Sequence, residues 1–451
     1  MTPGRRYGPC RRGRGGRTPE RPTHQEAGRT PWHGDGSAFT DRLRRSAMAD
    51  LQDELQATAE AGELDARSTA RRKRKPKPGS RSTAAESMAR TDGRAEAPVH
   101  APADGTLGTP EPDGESPEAL ARAHAFLAGY PVADGYSGLP WVLRHLSWYD
   151  LELGEGAVDT DVPRMRKGHI GALFWSLHLP DGMTGDRAVG ATLEQLDLVR
   201  MVAHAHPEGL RLVYSAGEIT DARNCGRVGI LLGPAGASAI GDSLGILRAL
   251  HQLGLQALTV ADVSWAGEKG LTRFGEEVVR EMNRVGVLAD VSGAAEPTLR
   301  RTLEVSRAPV LCTRSAAHAL RPHPANLPDD LLAELGAAHG LCMVPLTAEQ
   351  TGPSIRDVAD HLDHVRSIAG PECVGLSGTY DSGAAHPQDL NDASCYPHLV
   401  AELMRRGWSE TDLALLTWGN VQRVLRMADF TARAAQDRRV ASTAKIEELD
   451  G

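Results

Sequence analysis

The sequence predicts an α/β protein in which eight parallel strands and their helices close into a (β/α)8 barrel, the TIM-barrel fold. Short, continuous apolar runs recur eight times between residues 131 and 381, and helical stretches with apolar residues at spacings of three and four separate them. Continuous apolar strands indicate a sheet covered on both faces. Eight such units in about 300 residues suit a closed barrel better than an open sheet.

The predicted strands are, in chain order, PVADGY (131–136), GALFWSLHL (171–179), RVGILLG (227–233), ALTVAD (257–262), VGVLADVS (285–292), APVLCTR (308–314), LCMVPL (341–346) and CVGLSGTYD (373–381). The helical segments between them include ATLEQLDLVRMVAHAH, GDSLGILRALHQLG, RFGEEVVREMNRVG and SIRDVADHLDHVRSIAG. Active sites of such barrels lie at the C-terminal ends of the strands. We therefore expect one mouth to be lined by Tyr136, Gly138, Ala235, Asp262, Gly293, Arg314 and Asp381.

The chain divides into three parts by composition. Residues 1–115 are dominated by Arg, Gly, Pro, Ala, Thr and Glu, with too few large apolar side chains to form a core, so they are predicted to be a disordered extension. Within them Met48 is a plausible alternative start. Residues 116–429 form the predicted barrel, and residues 430–451 are interpreted as a C-terminal tail.

Charge and cysteine usage limit the classes of protein. The net charge is −8; residues 1–115 hold 21 Lys and Arg against 17 Asp and Glu, and the remainder holds 30 against 42. An acidic body argues against specific nucleic-acid binding. The six cysteines form no Cys-x-x-Cys pair, and no apolar run reaches the length of a membrane span. We therefore expect a cytoplasmic protein without membrane insertion.

Several segments resemble a known family. They include DGYSGLPW, TLEQLDLVR, GLTRFGEEVVREMNRVGVLADVS, TLEVSRAPVLCTRSAA and VGLSGTYDSG. Over residues 117–428 the chain resembles the membrane (renal) dipeptidases, the metallopeptidases of peptidase family M19. The resemblance implies a TIM barrel that carries two zinc ions and hydrolyses dipeptides.

The departures from the family are at the metal site. The family's first strand offers His-x-Asp, where this chain has Tyr136 and Gly138. The bridging glutamate after the third strand corresponds to Ala235, and the two remaining histidine ligands correspond to Gly293 and Arg314. Zinc needs imidazole, carboxylate or thiolate donors. All five expected ligands are replaced, so no metal site and no cofactor are predicted here.

Three further positions bear on the site. The family's substrate-facing histidine after the fourth strand corresponds to Asp262, and its arginine before the Asn-x-Pro-Asp segment corresponds to Ala325. The acidic residue that ends the eighth strand is kept as Asp381, the one family-equivalent candidate for a catalytic role. We expect Arg314 to replace the lost zinc charge by pairing with Asp381 or Asp262, while the Tyr136 ring lines the mouth.

The histidines elsewhere do not rebuild a metal site. His145, His169, His178, His318 and His323 lie near predicted loops and form no ligand pair at a strand end. The segment DHLDH (360–364) lies on a helix whose polar face is predicted to be outside the barrel. All of these histidines are interpreted as surface or loop residues.

Three functions remain open from the sequence. The first is a pseudo-enzyme that binds a small molecule or peptide at the barrel mouth. The second is a dipeptidase that hydrolyses through an unrecognised site. The third is a metal-independent enzyme that uses Tyr136, Arg314 and Asp381. A homodimer is also left open. The transition-metal content of the purified protein distinguishes the dipeptidase from the other two alternatives.

Overall fold

The computed structural model describes residues 116–146, 149–154, 156–180 and 182–451. The predictions for residues 1–115, namely the disordered extension and the alternative start at Met48, lie outside this range. No helix in the described range is long and apolar enough to cross a lipid bilayer.

The described residues form twelve strands, and all eight predicted strands are among them. In chain order they are β1 (Val132–Ser137), β2 (Ile170–Trp175), β3 (Leu210–Leu212), β4 (Val228–Leu232), β5 (Ala235–Gly236), β6 (Ala257–Thr259), β7 (Ala266–Gly267), β8 (Gly270–Leu271), β9 (Leu288–Asp290), β10 (Val310–Cys312), β11 (Leu341–Pro345) and β12 (Val374–Ser377).

Eight of these strands form the parallel wall of a barrel. β1 lies between β2 and β12; the order continues from β2 to β4, and from β12 through β11, β10 and β9 to β6. The two ends meet where Leu232 at the end of β4 bridges Leu255, and the Gln256 amide donates to the Leu232 carbonyl at 2.8 Å. The expected TIM-barrel fold is confirmed.

The four additional strands have no counterpart in the sequence prediction. β3 pairs with β4, β5 pairs with β6, and β7 with β8 forms a small antiparallel hairpin. Each has only two or three residues, too few to produce a readable periodicity.

Helices cover the outside of the wall. Their bounds are Pro117–Gly129, Leu139–Leu143, Val162–Lys167, Gly185–Ala205, Ala216–Asn224, Leu244–Gln252, Arg273–Val285, Glu296–Val305, Asp329–Ala337, Ile355–Ala369, Tyr396–Arg405, Glu410–Ala414, Asn420–Arg438 and Ile446–Leu449. Local sequence fixes several ends: Ser354 and Asp357 form a capping box, and the Thr272 side chain accepts from the Gly275 amide.

The barrel strands are buried along their whole length. Every residue of β1, β2, β4, β11 and β12 is buried, as the continuous apolar runs predict. One inner cluster brings Phe174 and Met343 together with Trp418 and Val421. Because Trp418 lies against Gly171 at the start of β2, this cluster fills the end of the barrel away from the strand C-termini.

The C-terminal segment belongs to the body of the molecule, not to a separate tail. The last long helix runs through position 429 and ends at Arg438. Beyond it, Arg248 donates to the Ser442 carbonyl at 2.9 Å, and the Asp450 carboxylate accepts from the Phe274 amide at 3.1 Å. The boundary predicted at residue 429 therefore falls inside a helix.

Candidate functional site

A cavity of about 530 Å³ opens at the C-terminal ends of the barrel strands. This is the end at which barrels of this type carry their chemistry. Five of the predicted residues line it: Tyr136, Asp262, Gly293, Arg314 and Ala325. The described lining does not include Gly138, Ala235 or Asp381.

Arg314 and Tyr136 contact each other inside this cavity. The guanidinium carbon of Arg314 lies 4.5 Å from the centroid of the Tyr136 ring, a cation–π geometry. The Arg314 backbone is fixed, since its amide donates to the Ser292 hydroxyl at 3.0 Å and its carbonyl accepts from the Gln350 amide group at 3.0 Å. Two positions that the resemblance assigns to metal ligands are therefore occupied by a stacked arginine and tyrosine.

The expected ion pair between Arg314 and a carboxylate is wrong. Asp381 accepts instead from the Asp159 amide at 2.7 Å and from the Thr160 hydroxyl, and it is almost fully buried. Among the described residues Arg314 pairs with neither Asp381 nor Asp262, and its enclosed Nε has no hydrogen-bond partner. A cation–π contact, not a salt bridge, is the close interaction of this guanidinium.

The residue that lines the mouth at the end of β12 is Thr379, two positions before Asp381. Both residues adopt left-handed backbone angles, with φ of +56° and +57°, which are uncommon for residues with a side chain. The chain therefore bends sharply after β12 and buries the Asp381 carboxylate against the loop that contains Asp159 and Thr160. The catalytic role of Asp381 stays a prediction, and this geometry does not favour it.

Gly138 is enclosed by the loop after β12. A Cβ atom built on it would lie 2.8 Å from the carbonyl carbon of Asp381 and 3.1 Å from the Cα of Ser382. The Gly138 amide also donates to the Tyr380 carbonyl at 2.8 Å. No side chain fits at this position unless the loop moves, so glycine is required by close backbone approach.

The other replaced positions differ in how much space they leave. Ala235 is completely buried in β5, opposite Leu258. Gly293 has φ of +73° and no atom within 4 Å of a Cβ built on it, so it faces open space in a conformation that favours glycine. Asp262 also has a left-handed backbone, with φ of +58°.

His178 lines the cavity, as does His323, although both are interpreted from the sequence as surface or loop residues. His178 lies just beyond β2, with its Nδ1 2.9 Å from the Ser176 hydroxyl and its Nε2 3.0 Å from the Thr259 hydroxyl. Its ring centroid lies 5.8 Å from that of Tyr136. The signal that could have identified it is its position directly after the second predicted strand.

The hydrogen bonds around His178 define its tautomer. Thr259 donates its hydroxyl proton to Asp290 at 2.7 Å, so it can only accept from His178 Nε2. Ser176 accepts from the His178 amide at 3.1 Å and can donate to Nδ1. Burial and then the positive charge of Arg314 hold the pKa of His178 well below its ordinary 6.5. His178 is therefore a neutral imidazole with its proton on Nε2.

A second histidine also departs from the prediction. His361, in the DHLDH segment, is 2% exposed, and its Nδ1 accepts from the Ala317 amide at 3.1 Å. It therefore lies on the inner side of its helix and fixes the loop after β10, whereas the sequence placed it on the outer polar face. His364 does lie near the surface and contacts Asp329 at 2.7 Å.

A buried carboxylate lies beneath the mouth. Asp134 in β1 accepts from the Tyr136 amide at 3.1 Å, from the Gly378 amide at 2.7 Å and from the Tyr396 hydroxyl at 2.7 Å. Burial raises its pKa from 3.8 to about 6 despite these three donors. Asp134 thus connects β1, β12 and the helix Tyr396–Arg405, and it does not line the cavity.

The replaced positions do not fit the two zinc ions that the resemblance implies. Gly138, Ala235 and Gly293 offer no side-chain donor, Arg314 carries a positive charge, and Tyr136 lies under that guanidinium. Within residues 116–451, as far as they are described, no three His, Cys, Asp or Glu side chains form a group that could hold a metal ion.

The fold and the cavity define an α/β barrel whose site lies at the strand C-termini. The sequence model of the membrane dipeptidases (peptidase family M19) matches residues 120–439 of this chain. The chain belongs to this family, and the resemblance deduced from the sequence is confirmed.

The relatives include Dipeptidase 3 of Rattus norvegicus, which is 36% identical over 340 residues that cover 69% of this chain and 68% of the relative. Dipeptidase 3 of Homo sapiens is 35% identical over 351 residues, covering 72% and 70%. Dipeptidase aclJ of Aspergillus oryzae is 36% identical over 302 residues, covering 61% and 72%.

Solved structures share the fold. A metallo peptidase from Rhodobacter sphaeroides, crystallised with a phosphinate mimic of L-Ala-D-Ala, superposes with a TM-score of 0.62 at 23% identity, covering 66% of this chain and 99% of its own. An amidohydrolase from Pseudomonas aeruginosa gives a TM-score of 0.58 at 23% identity, covering 68% and 98%.

Proposed function

We propose that this protein is a non-hydrolytic member of the membrane dipeptidase family that binds a small organic ligand in the mouth of its barrel. The observation that supports this proposal most directly is the contact between Arg314 and Tyr136. The guanidinium carbon lies 4.5 Å from the ring centroid. The resemblance places two metal-binding histidines of the family at these two positions. A cation at this place repels a zinc ion instead of binding it.

The packing around Gly138 supports the same proposal. The family places a carboxylate ligand here, and in this chain the backbone of Asp381 fills the adjoining space. A carboxylate side chain therefore does not fit at this position unless the loop after β12 moves. The cavity itself is retained, at about 530 Å³, a size that accommodates a small molecule.

Dipeptide hydrolysis is the second candidate, and the relatives favour it. Three proteins named Dipeptidase 3 are 36–37% identical to this chain over about two thirds of its length. For hydrolysis to occur, metal or a different set of groups would have to activate water in the cavity. The metal-independent enzyme is less well supported, because Tyr136 and Arg314 line the cavity and Asp381 does not.

Metal content and peptidase activity of the purified chain test the proposal together. The protein is incubated with zinc, dialysed, and analysed by mass spectrometry for zinc per chain, while hydrolysis of L,L- and L,D-dipeptides is followed. The Rhodobacter sphaeroides metallo peptidase, treated in parallel, is the positive control. We expect substoichiometric zinc and no hydrolysis. Stoichiometric zinc that is removable together with a dipeptidase activity would establish the second candidate instead.

A further inference from the structure

Arg314 lines the cavity as a cation with one hydrogen-bond donor that no described residue accepts. Arg314 lines the mouth, one face of its guanidinium is covered by Tyr136, and its Nε is enclosed without an acceptor among the described residues. An unsatisfied donor on a charged group calls for an explanation in a native structure. The geometry of a guanidinium is matched by the two oxygens of a carboxylate.

We propose that the mouth binds a small monocarboxylate, and that Arg314 binds its carboxylate group at the place where the family has a metal-binding histidine. This inference rests on the proposed function, because it assigns the chemistry of the ligand in the same cavity. The resemblance places an arginine of the family at the position of Ala325, and here Arg314 is a cation that lines the same cavity.

Three hydroxyl groups that line the mouth have their protons engaged within the protein. Thr259 and Ser292 donate their protons to Asp290, both at 2.7 Å, and Ser382 donates to the Thr379 carbonyl at 2.5 Å. His178 directs its Nε2 proton to Thr259. Among these groups the guanidinium is therefore the donor that remains for an anion.

The charges around the cavity select a single negative charge on the ligand. Asp262 and Glu349 line the same cavity as Arg314. Like charges repel in a partly enclosed site, so carboxylates in the described lining disfavour a dianion such as phosphate more than a monoanion. A monocarboxylate limits this repulsion and still forms charge-assisted hydrogen bonds with the guanidinium.

Binding of propionate to the whole chain tests the inference. Its affinity is compared by calorimetry with those of propionamide, a neutral analogue of nearly the same shape, and inorganic phosphate. We expect propionate to bind the most tightly. Arg314→Gln should weaken propionate at least about tenfold, and Arg314→Lys should weaken it less, because lysine keeps the charge but loses the planar fork. Arg307→Gln, on the outer surface, is the matched control and should bind like the wild type.

Nuclear magnetic resonance of the wild-type protein gives a readout that does not depend on a variant that folds poorly. Propionate should shift the Arg314 Nε and His178 ring resonances in a saturable manner, and propionamide should not. Equal propionate binding by Arg314→Gln and wild type, tighter binding of phosphate, or no saturable shift would each overturn the inference.

The two proposals fail separately. Zinc-dependent dipeptide hydrolysis would overturn the proposed function, whatever propionate does. A metal-free, inactive protein that shows no Arg314-dependent propionate binding would overturn only the assignment of the ligand.

Discussion

His178 Nε2 lies 3.0 Å from the Thr259 hydroxyl, whose own proton is donated to Asp290. A buried carboxylate therefore orients a hydroxyl, and the hydroxyl orients the imidazole in the mouth. Because Asp290 also accepts from the Ser292 hydroxyl and the Thr313 amide, its position is firmly fixed. The imidazole is held in one tautomer before any ligand arrives.

This network predicts the protonation of His178 at mildly acidic pH. Its pKa is held well below 6.5 by burial and by Arg314, so the ring should remain neutral near pH 5.5, with the proton on Nε2. Nitrogen-15 chemical shifts of the ring measure both properties. Arg314→Gln should raise the pKa of His178, and Arg307→Gln should leave it unchanged. A doubly protonated ring at pH 5.5 in the wild type would contradict this.

The glycine at position 138 should be intolerant of even a methyl group. Gly138→Ala should lower the free energy of unfolding by about 1–3 kcal/mol, because the added Cβ overlaps the Asp381 carbonyl group. Gly190→Ala is the matched control, since nothing lies within 4 Å of its Cβ in the middle of a helix. It should raise stability by about 0.5–1 kcal/mol. Urea unfolding measures the free energy of unfolding of both variants. Equal changes in the two variants would show that the loop after β12 moves at little cost to accommodate the methyl group.

Asp134 should make stability depend on pH. Its pKa in the folded protein, about 6, exceeds its ordinary 3.8, so its stabilising contribution is complete below pH 3.8 and is lost as pH rises through 6. Asparagine can keep both backbone hydrogen bonds and donate to Tyr396. Between about pH 4.5 and 7.5, Asp134→Asn should gain about 2 kcal/mol relative to wild type. A stability difference that stays constant over this range would contradict the raised pKa.

The contact between Tyr136 and Arg314 should be measurable as a coupling energy. A double-mutant cycle of Tyr136→Leu and Arg314→Met should give about 0.5–2 kcal/mol, the range for a cation–π pair that is partly withdrawn from water. Tyr136→Leu combined with Arg307→Gln should give no coupling, because Arg307 lies on the outer surface. If the two substitutions change the free energy of unfolding additively, Tyr136 and Arg314 do not stabilise each other.

Restoring one histidine should not restore the metal. Arg314→His removes the cation but leaves Gly138, Ala235 and Gly293 without donors, so zinc per chain should remain substoichiometric after dialysis. The variant should also be less stable than wild type, because Tyr136 loses its stacked partner. Zinc analysis and thermal unfolding check the two expectations, and stoichiometric zinc in this variant would show that donors exist which the five positions do not include.

The sequence predicted the eight barrel strands because each is a continuous apolar run, and the helices because their apolar residues recur at three and four. It also identified four residues of the mouth, since strand ends converge in any such barrel, and the family resemblance added a fifth, Ala325. It could not indicate that Asp381 turns away, because that depends on left-handed backbone angles at Thr379 and Asp381. Nor could it separate His178, which lines the cavity, from His361, which is buried on the inner side of a helix.

The pairing of Arg314 was predicted with the wrong partner for a similar reason. Charge alone suggested a carboxylate, and only β11 separates the strand before Asp381 from the strand before Arg314. The Asp159 amide and the Thr160 hydroxyl, from a loop far earlier in the chain, already occupy that carboxylate. The guanidinium is left with the nearest aromatic face, a contact that depends on side-chain geometry and not on sequence order.

The enclosure of Gly138 has a consequence for how this lineage can change. A descendant that gained a carboxylate at this position alone would lose stability, and it would gain no metal in exchange, because the four other ligand positions would still differ from those of the family. Replacement of Gly138 by a carboxylate residue is therefore disadvantageous by itself. It becomes tolerable only if the loop after β12 moves at the same time. In this respect the packing around Gly138 opposes the return of a carboxylate ligand by a single substitution.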